Sequence, residues 1–254
     1  MKKIFILICG VVIATQCSLV SAQTTQMKMW KDGKATNTYT DVDSVTFETS
    51  AEKQDLGGGV YLINRHKFVD LGLPSGLLWA ETNVGAETAA DDGNYYAWGE
   101  TTPKTEYNER TYFDSDYATY SPDGKTTLEK QHDAAYVNWG SSCRMPTNDE
   151  FGELLDSNNC TWEWASRTTA DDSSINGYKI TSTKNGNSIF LPASGYRDYG
   201  SLSNHGSYGY YWSGTFNSYY SDSAYYLYFR SGGQDQDGSG YRCYGYTVRP
   251  VAES

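Results

Sequence analysis

The sequence contains no lysine after Lys184, and basic residues are scarce throughout the 254-residue chain. Lysine and arginine total 20 against 31 aspartate and glutamate residues, so the formal net charge is −11 at pH 7. Such an excess of carboxylates repels phosphate backbones, and no stretch of the sequence forms a basic stripe. We therefore exclude nucleic acid as a partner.

Cysteine and histidine are also rare, with five and three residues respectively. No CxxC pair occurs and His66, His132 and His205 are scattered, so the spacing of a zinc site is missing. Beyond the N-terminal region the cysteines are Cys143, Cys160 and Cys243. An odd number allows one disulfide with one free thiol or three free thiols, and spacing does not choose among the three possible pairings.

Long apolar runs are absent after the N-terminus. The basic start, the run IFILICGVVIA and small residues at Val20 and Ala22 predict a signal peptide over residues 1–22, cleaved after Ala22. The run is too short to span a bilayer, so no transmembrane segment is expected. Cys17 also permits a lipoprotein, but Gln16 stands where lipidation requires a small residue, so cleavage is favoured. The protein is expected to be secreted or held at the cell surface.

The motifs of common enzyme classes are missing: there is no GxSxG, HExxH or Walker loop. Acidic pairs at 91–92 and 171–172 lie in Gly-, Ser- and Ala-rich stretches, which is typical of solvated turns rather than acid–base catalysts. The oxygen-rich loops AADDGN (89–94) and GGQDQDGSG (232–240) lack the spacing of an EF-hand. We therefore expect no enzyme activity, no catalytic residue, no metal and no cofactor.

The chain divides into a small N-terminal segment and one large domain. Residues 23–48 predict a hairpin around Asp32-Gly33, residues 49–59 are polar and Gly-rich like a linker, and residues 60–254 form the domain.

Inside the domain, the sequence predicts an α+β fold with many short strands. A capping box at Thr147 and Glu150 opens a helix within 145–157, a second short helix is predicted around 132–139, and 101–130 is a long polar loop. Apolar and aromatic runs predict strands within 68–80, 94–100, 177–183, 188–194, 210–216, 224–229 and 246–251.

Tyrosine is concentrated near the C-terminal end: 13 of the 23 tyrosines lie between Tyr196 and Tyr246, among Ser, Gly, Asn and Asp. Tyrosine offers a stiff amphipathic contact and the small polar residues offer adaptable hydrogen bonds, so this composition is typical of a recognition surface. It is also typical of antiparallel strands with one wet face, and a sheet can present such a surface.

The predicted ligand-binding residues come from this region. They are Tyr208, Tyr210, Tyr219, Tyr220, Asp222, Tyr225, Tyr228, Arg230, Asp235, Asp237, Tyr241 and Tyr244. Because side chains alternate along a strand, only one parity of residues within 225–229 can face a ligand. About half of that subset is therefore expected to point away.

Eight further residues are assigned to the scaffold. We expect core packing, with the indole N–H bonded to a neighbour, for Trp79, Trp98, Trp139, Trp162, Trp164 and Trp212. Arg144 and Arg249 are expected to pair with buried carboxylates.

Several blocks resemble the Fibrobacter succinogenes major paralogous domain family. They span residues 60–252 in order and are HKFVDLGLPSGLLWA, NYYAWGE, DAAYVNWGSSCRMPTNDEFGELL, CTWEW, GNSIFLPASGYR, GYYWSG and YGYTVRPV. The resemblance implies a C-type-lectin-like fold, related to that of formylglycine-generating enzymes, with short antiparallel strands, two short helices and long loops. The catalytic relatives use two nearby cysteines late in the domain, where this chain has only Cys243.

The resemblance also implies a function. It suggests an exported, non-enzymatic module that recognises a glycan or protein ligand outside the cell. Domains of this type include targets of diversity-generating retroelements, which mutate Asn-type codons to Tyr, Ser, Asp, Gly, His or Cys but not to Lys, Glu or Trp. The stretch from Tyr208 to Tyr246 is rich in the first set and lacks Lys and Glu, and a scaffold role is expected for Trp212 within GYYWSG. Gln234 and Gln236 do not fit this pattern and would be fixed positions. The alternative is a structural or assembly component of the cell envelope.

Overall fold

The computed structural model describes strands at 4–8, 11–15, 26–31 and 34–40, and then residues 53–112 and 126–254. The chain separates into two units, residues 1–50 and residues 51–254. The strands before residue 41 are described by their backbone, and the side chain of Asp237 is outside the description.

The first unit is a four-stranded antiparallel sheet in the order β1-β2-β3-β4. The strands β3 and β4 pair as a hairpin over the segment where the sequence predicts one. The predicted cleavage after Ala22, the alternative lipidation of Cys17 and the last part of the predicted hairpin segment, from residue 41 to 48, lie outside the described residues. The bounds are β1 Ile4–Ile8, β2 Val11–Thr15, β3 Gln26–Lys31 and β4 Lys34–Thr40.

A six-stranded sheet opens the second unit, in the order β5-β6-β7-β8-β18-β9. Strand β18, from near the C-terminal end, lies between β8 and β9, with Val251 opposite both Trp79 and Arg144. The bounds are β5 Lys53–Gly57, β6 Val60–Ile63, β7 His66–Asp70, β8 Leu78–Ala80, β9 Cys143–Arg144 and β18 Val251–Ala252.

The linker predicted over 49–59 is corrected by this sheet. Residues 53–57 form β5 and pair antiparallel with β6, so the domain includes them. The three glycines at 57–59 all have positive φ, which is the backbone that a tight turn requires. Glycine therefore closes a hairpin here instead of providing a flexible spacer.

The remaining strands form three smaller antiparallel sheets, β10-β11-β12, β13-β14 and β15-β16-β17. Strands make up 43% of the structure and helices 9%, so the mainly antiparallel α+β class predicted from the sequence is confirmed. The bounds are β10 Cys160–Thr168, β11 Ser174–Ser182, β12 Ser188–Pro192, β13 Tyr196–Asp198, β14 Ser201–Ser203, β15 Tyr208–Phe216, β16 Ser223–Arg230 and β17 Gly233–Tyr241.

Both predicted helices are present, and each begins at a side-chain cap. Helix α1 (Ala134–Trp139) follows a 3-10 turn at Lys130–His132, and Asp133 caps it by accepting from two backbone N–H groups. Helix α2 (Asn148–Leu155) carries the predicted capping box of Thr147 and Glu150. No helix among the described residues is both long enough and apolar enough to cross a membrane.

The strand predicted within 94–100 is wrong. Only a single bridge forms there, between Tyr96 and Tyr246, while the Trp98 N–H donates to the carbonyl of Arg242. All four residues from Tyr95 to Trp98 are buried. Because all four side chains are enclosed, this segment crosses the interior of the domain. It does not form a regular strand of a sheet.

The tryptophans occupy two hydrophobic clusters as expected, with Trp79, Trp98 and Trp212 fully buried, Trp139 buried and Trp162 and Trp164 partly buried. The indoles of Trp98, Trp212 and Trp162 donate to backbone carbonyls. Trp79 differs from the prediction, because its indole nitrogen has no hydrogen-bond partner among the described residues.

The two arginines assigned to the scaffold behave differently. Arg144 makes the predicted ion pair, with its Nη2 2.6 Å from Oε1 of Glu150. Arg249 is fully buried, but its partners are the Asn83 side chain and the carbonyls of Ala80, Glu81 and Phe190. The expected carboxylate partner of Arg249 is therefore corrected: neutral oxygens accept its hydrogen bonds.

All three cysteines of the second unit are free and buried, which settles the alternatives that spacing left open. Burial raises the pKa of Cys143 to about 12 and those of Cys160 and Cys243 to about 11. These thiols remain protonated at neutral pH, and a protonated thiol is a poor nucleophile.

Candidate functional site

The sheet β15-β16-β17 has one apolar face and one tyrosine face. Gly209 lies opposite Phe229 and Tyr211 opposite Leu227, and these aromatic and aliphatic side chains are buried. The alternate pairs turn to the other face: Tyr208 opposite Arg230, Tyr210 opposite Tyr228, and Trp212 opposite Tyr226. Strand alternation therefore separates the buried side chains of the first face from a second face, which carries a row of tyrosines beside the buried Trp212.

Phe229 anchors the apolar face. Its ring lies 6.1 Å from Trp162, 6.4 Å from Trp164 and 5.5 Å from Tyr178, each in an edge-on geometry that favours aromatic pairs. The absence of a Cβ on Gly209 leaves room for this ring directly across the strand pair. The sheet is thereby fixed against β10 and β11, and its outer face is held in place.

The tyrosines of the outer face join others from two neighbouring segments. We call this set the tyrosine cluster; its members are Tyr196, Tyr208, Tyr210, Tyr226, Tyr228, Tyr241, Tyr244 and Tyr246. Ring centroids are 5.1 Å apart for Tyr196–Tyr210, 5.4 Å for Tyr210–Tyr228 and 5.1 Å for Tyr226–Tyr246. Each member has a ring contact with at least one other, so the cluster is one continuous aromatic surface.

A cavity of about 500 Å³ opens within this cluster. Such a volume lies within the range of about 300–1,000 Å³ found for small-molecule sites. Its lining is made of tyrosines together with a few small polar residues: Tyr196, Tyr210, Tyr220, Asp222, Ser223, Tyr226, Ser239, Gly240, Tyr241, Tyr244 and Tyr246.

Glycines on β17 permit the rings to pack closely. A Cβ on Gly238 would meet the Tyr226 ring, and one on Gly240 would meet the rings of both Tyr226 and Tyr246. The alternation of glycine with polar residues in this strand thus has a steric role. It allows the aromatic rings to lie flat against the backbone of the edge strand.

Five phenols of the cluster have a pKa above the ordinary value for tyrosine. Burial, with minor effects from neighbouring groups, raises the pKa of Tyr210 and Tyr244 to about 12. Burial also raises the pKa of Tyr226, Tyr228 and Tyr246, and the nearby phenols of other members add to the effect for Tyr246. At neutral pH each hydroxyl can both donate and accept a hydrogen bond.

The structure brings together most of the predicted ligand-binding residues. Seven of them belong to the cluster or line its cavity: Tyr208, Tyr210, Tyr220, Asp222, Tyr228, Tyr241 and Tyr244. Asp235 lies opposite Tyr228 and so on the same face. Arg230 is exposed at the end of β16, opposite Tyr208.

Three predicted residues lie elsewhere or are not described. Tyr225 has the strand parity of Leu227 and Phe229, so it lies on the opposite face from the cluster, and its assignment to the site is corrected. Tyr219 is 83% exposed in the connection between β15 and β16 and does not line the cavity. The side chain of Asp237 is outside the described residues.

Sequence reasoning missed six lining residues: Tyr196, Ser223, Tyr226, Ser239, Gly240 and Tyr246. Strand parity was the available signal for Tyr226, since it shares a face with Tyr228. Tyr196 and Tyr246 belong to separate segments, and only tertiary contacts bring them beside Tyr210, at 5.1 Å each. Both bound the tyrosine-rich stretch, but composition alone does not distinguish them from its other tyrosines.

A second cavity, of about 550 Å³, is lined by Asp91, Asp92, Asp171 and His205. These acids have partners within the fold: Asp91 accepts from the N–H groups of Thr88 and of the distant Ala170, Asp171 accepts from Ser173 and Thr169, and Asp92 contacts Nε2 of His205 at 2.8 Å. Within 53–112 and 126–254, no group of three or more His, Cys, Asp or Glu side chains is placed to hold a metal.

Comparison with known proteins adds one family match. A family model described as a domain of unknown function, DUF8237, matches residues 161–251, which run from β10 to β18 and include the whole tyrosine cluster. No curated protein and no solved structure matches the chain significantly. The function is therefore inferred from the geometry of the site.

Proposed function

We propose that this protein is an exported, non-enzymatic binding module that recognises a glycan or protein ligand through the tyrosine cluster. The observation that carries the proposal is the convergence of seven of the residues predicted from composition onto one surface with a 500 Å³ cavity. Neutral phenols around a concave aromatic site provide both stacking area and directional hydrogen bonds.

Three further features support this proposal. The signal sequence favours export, and the blocks that resemble the Fibrobacter succinogenes major paralogous domain favour a C-type-lectin-like architecture. The mixture of short antiparallel strands with two helices fits that architecture. The buried thiols, whose pKa values are raised by burial, favour a non-enzymatic role, because they are poor nucleophiles at neutral pH.

The test uses tyrosines that are exposed, so that substitution spares the core. Tyr220 and Tyr241 line the cavity and are 63% and 52% exposed. Tyr199, 66% exposed on the β13–β14 turn, does not line the cavity and provides a matched control. The purified protein and its Tyr220→Ala, Tyr241→Ala and Tyr199→Ala variants are screened against a glycan array and against proteins of the cell envelope.

We expect Tyr220→Ala and Tyr241→Ala to weaken binding by about tenfold or more, because tyrosine is enriched among residues that dominate binding energy. Tyr199→Ala should bind like the unsubstituted protein, and all variants should keep its unfolding temperature. Equal binding by all three variants would refute the proposal. Unfolding of the two cavity variants would instead show that these tyrosines are part of the core.

The second candidate is a structural or assembly component of the cell envelope. The large exposed aromatic side chains of Tyr219, Tyr220 and Tyr241 favour it, since such side chains on one side of a domain are typical of a protein contact. If this candidate holds, Tyr219→Ala combined with Tyr220→Ala should release the protein from its envelope fraction. Retention of this double variant in that fraction would count against assembly through this surface.

The tyrosine face is also proposed as a diversified surface. The sheet geometry sharpens this proposal, because variation should fall at outward positions such as Tyr208, Tyr210 and Tyr228 and spare Tyr211 and Phe229. Sequencing the 3′ part of the gene in many isolates of one strain tests it. Variation spread equally over buried and outward codons, or none at all, would count against diversification.

A further inference from the structure

Several hydroxyl groups in the cavity of the tyrosine cluster are not used by the fold. Among the described residues, no hydrogen bond is made by the phenols of Tyr196, Tyr226, Tyr244 or Tyr246. Tyr246 is only 3% exposed, but its hydroxyl oxygen is not completely buried. Its ring is therefore enclosed, and its hydroxyl keeps only slight contact with solvent.

A ring of neutral phenols restricts the chemistry that it can recognise. Each phenol oxygen both donates and accepts, whereas an ammonium only donates and a carboxylate only accepts. Alcohol groups match this dual character at every position. The aromatic faces between the phenols supply an apolar surface, which suits a molecule that carries both C–H faces and many hydroxyls.

The charges around the cavity disfavour an anion. Among the described residues, Asp222 is the one ionisable acid or base, apart from the phenols, that lines it, and Ser223 Oγ donates to the Asp222 carboxylate at 2.9 Å. The charge of Asp198 contributes to the raised pKa of Tyr244, after the larger effect of burial, so this second carboxylate lies close by. Asp235 adds a third carboxylate on the same face.

Among the described residues, no lysine or arginine lines the cavity. The Arg242 guanidinium stacks 4.7 Å from the Trp98 ring and 4.5 Å from the Phe216 ring. Its Nε donates to the carbonyl of Ser223. Arg230 is at the far end of β16 and does not line the cavity. A like charge brought beside a carboxylate costs binding energy.

From the converging phenol hydroxyls, the aromatic walls and the carboxylate at the cavity, we infer that the ligand is an uncharged saccharide. This inference rests on the proposed binding function and narrows its ligand class. Sugar hydroxyls would bond to the phenols at the cavity floor, and the sugar C–H face would stack on the rings. A sugar acid of the same shape would be rejected by Asp222.

The experiment is a glycan array that holds neutral, uronic-acid, sialylated and sulfated glycans, probed with the full chain. The strongest ligand is then titrated by calorimetry beside its counterpart in which the C6 hydroxymethyl is oxidised to a carboxylate. We expect the bound set to be neutral and the oxidised counterpart to bind at least about tenfold more weakly. Asp222→Asn should narrow that difference.

The control variant is Glu163→Gln, which removes the same charge from an exposed position on β10 outside the cavity. It should leave the difference between the neutral and oxidised sugars unchanged. If Asp222→Asn and Glu163→Gln narrow the difference in affinity between the two sugars equally, the net charge of the protein explains it. That result would overturn the role of Asp222. Preferential binding of the acidic glycans, or no binding to any glycan on the array, would overturn the saccharide class.

The two levels of the proposal fail in different ways. If no glycan binds but Tyr220→Ala and Tyr241→Ala abolish binding of a protein ligand, the saccharide inference fails and the binding function stands. If those variants change the binding of no ligand, both fail.

Discussion

Trp212 and Tyr246 stack with ring centroids 4.1 Å apart and planes inclined by 24°. The Trp212 indole donates to the carbonyl of Tyr96, and the backbone of Tyr246 forms a bridge with Tyr96. The floor of the tyrosine cavity is therefore also the edge of the hydrophobic core. A site built in this way is rigid before the ligand arrives, which reduces the entropic cost of binding.

Gly209→Ala is expected to destabilise the domain by about 1–3 kcal/mol, the usual cost of forcing a methyl group into a packed core. The new Cβ would overlap the Phe229 ring, which is fully buried and cannot move aside. Urea unfolding of the variant beside the unsubstituted protein measures the loss.

The control for this substitution is Gly232→Ala. Nothing lies within 4 Å of a Cβ at Gly232, so its free energy of unfolding should change little. If both alanine variants lose the same free energy of unfolding, the loss comes from replacing glycine in the backbone. The explanation by overlap with Phe229 is then wrong.

Alkaline pH should destabilise the folded domain. The pKa of Tyr210 and of Tyr244 is about 12 in the folded state, while that of an unfolded tyrosine is about 10. The unfolded chain therefore releases these protons first, so the stability contribution is complete below pH 10 and is lost as the pH rises towards 12.

Urea unfolding at several values between pH 9 and 11 tests this expectation. Tyr210→Phe removes one titrating group and should show a shallower loss of stability than the unsubstituted protein. Identical slopes for the two proteins would show that the pKa of Tyr210 is not raised in the folded state. Ultraviolet absorbance at alkaline pH gives an independent titration of the phenols.

Tyr199→Asn should stabilise the domain by about 1 kcal/mol. Tyr199 and Gly200 form the turn between β13 and β14, and both have positive φ, at 47° and 82°. This backbone suits Asn-Gly in a tight hairpin and is strained for a bulky aromatic residue. The backbone N–H of Tyr199, which donates to Tyr107, is kept in the variant.

Leu202→Asn is the matched control, because it places the same polar residue on the same hairpin at an exposed position. Calorimetric melting of both variants separates relief of backbone strain from a general benefit of polar substitution. A rise in the melting temperature of both by the same amount would remove the strain explanation.

Local chemistry allowed several elements to be predicted. The capping box at Thr147 and Glu150 marks the start of α2, because both groups act within one turn of the chain. Alternation along β16 separates Tyr226 and Tyr228 from Tyr225 by the same local reasoning. The composition of the tyrosine-rich stretch indicated where a surface would form.

Features that depend on distant segments could not be predicted. Tyr246 joins the cavity because its backbone pairs with Tyr96, 150 residues earlier (246 − 96). Residues 53–57 resemble a linker in composition, and only their pairing with β6 makes them a strand. The neutral partners of Arg249 are likewise backbone carbonyls from separate segments, which no side-chain pattern indicates.

Strand β18 has a consequence for how the domain folds. Its pairing of Val251 with Trp79 joins residues that are 172 positions apart (251 − 79), and it also connects β8 to β9. Contacts of such long range form slowly, because the closure entropy of the chain must be overcome before they add stability. The six-stranded sheet is therefore expected to close late, in a rate-limiting step that depends on residues at both ends of the domain.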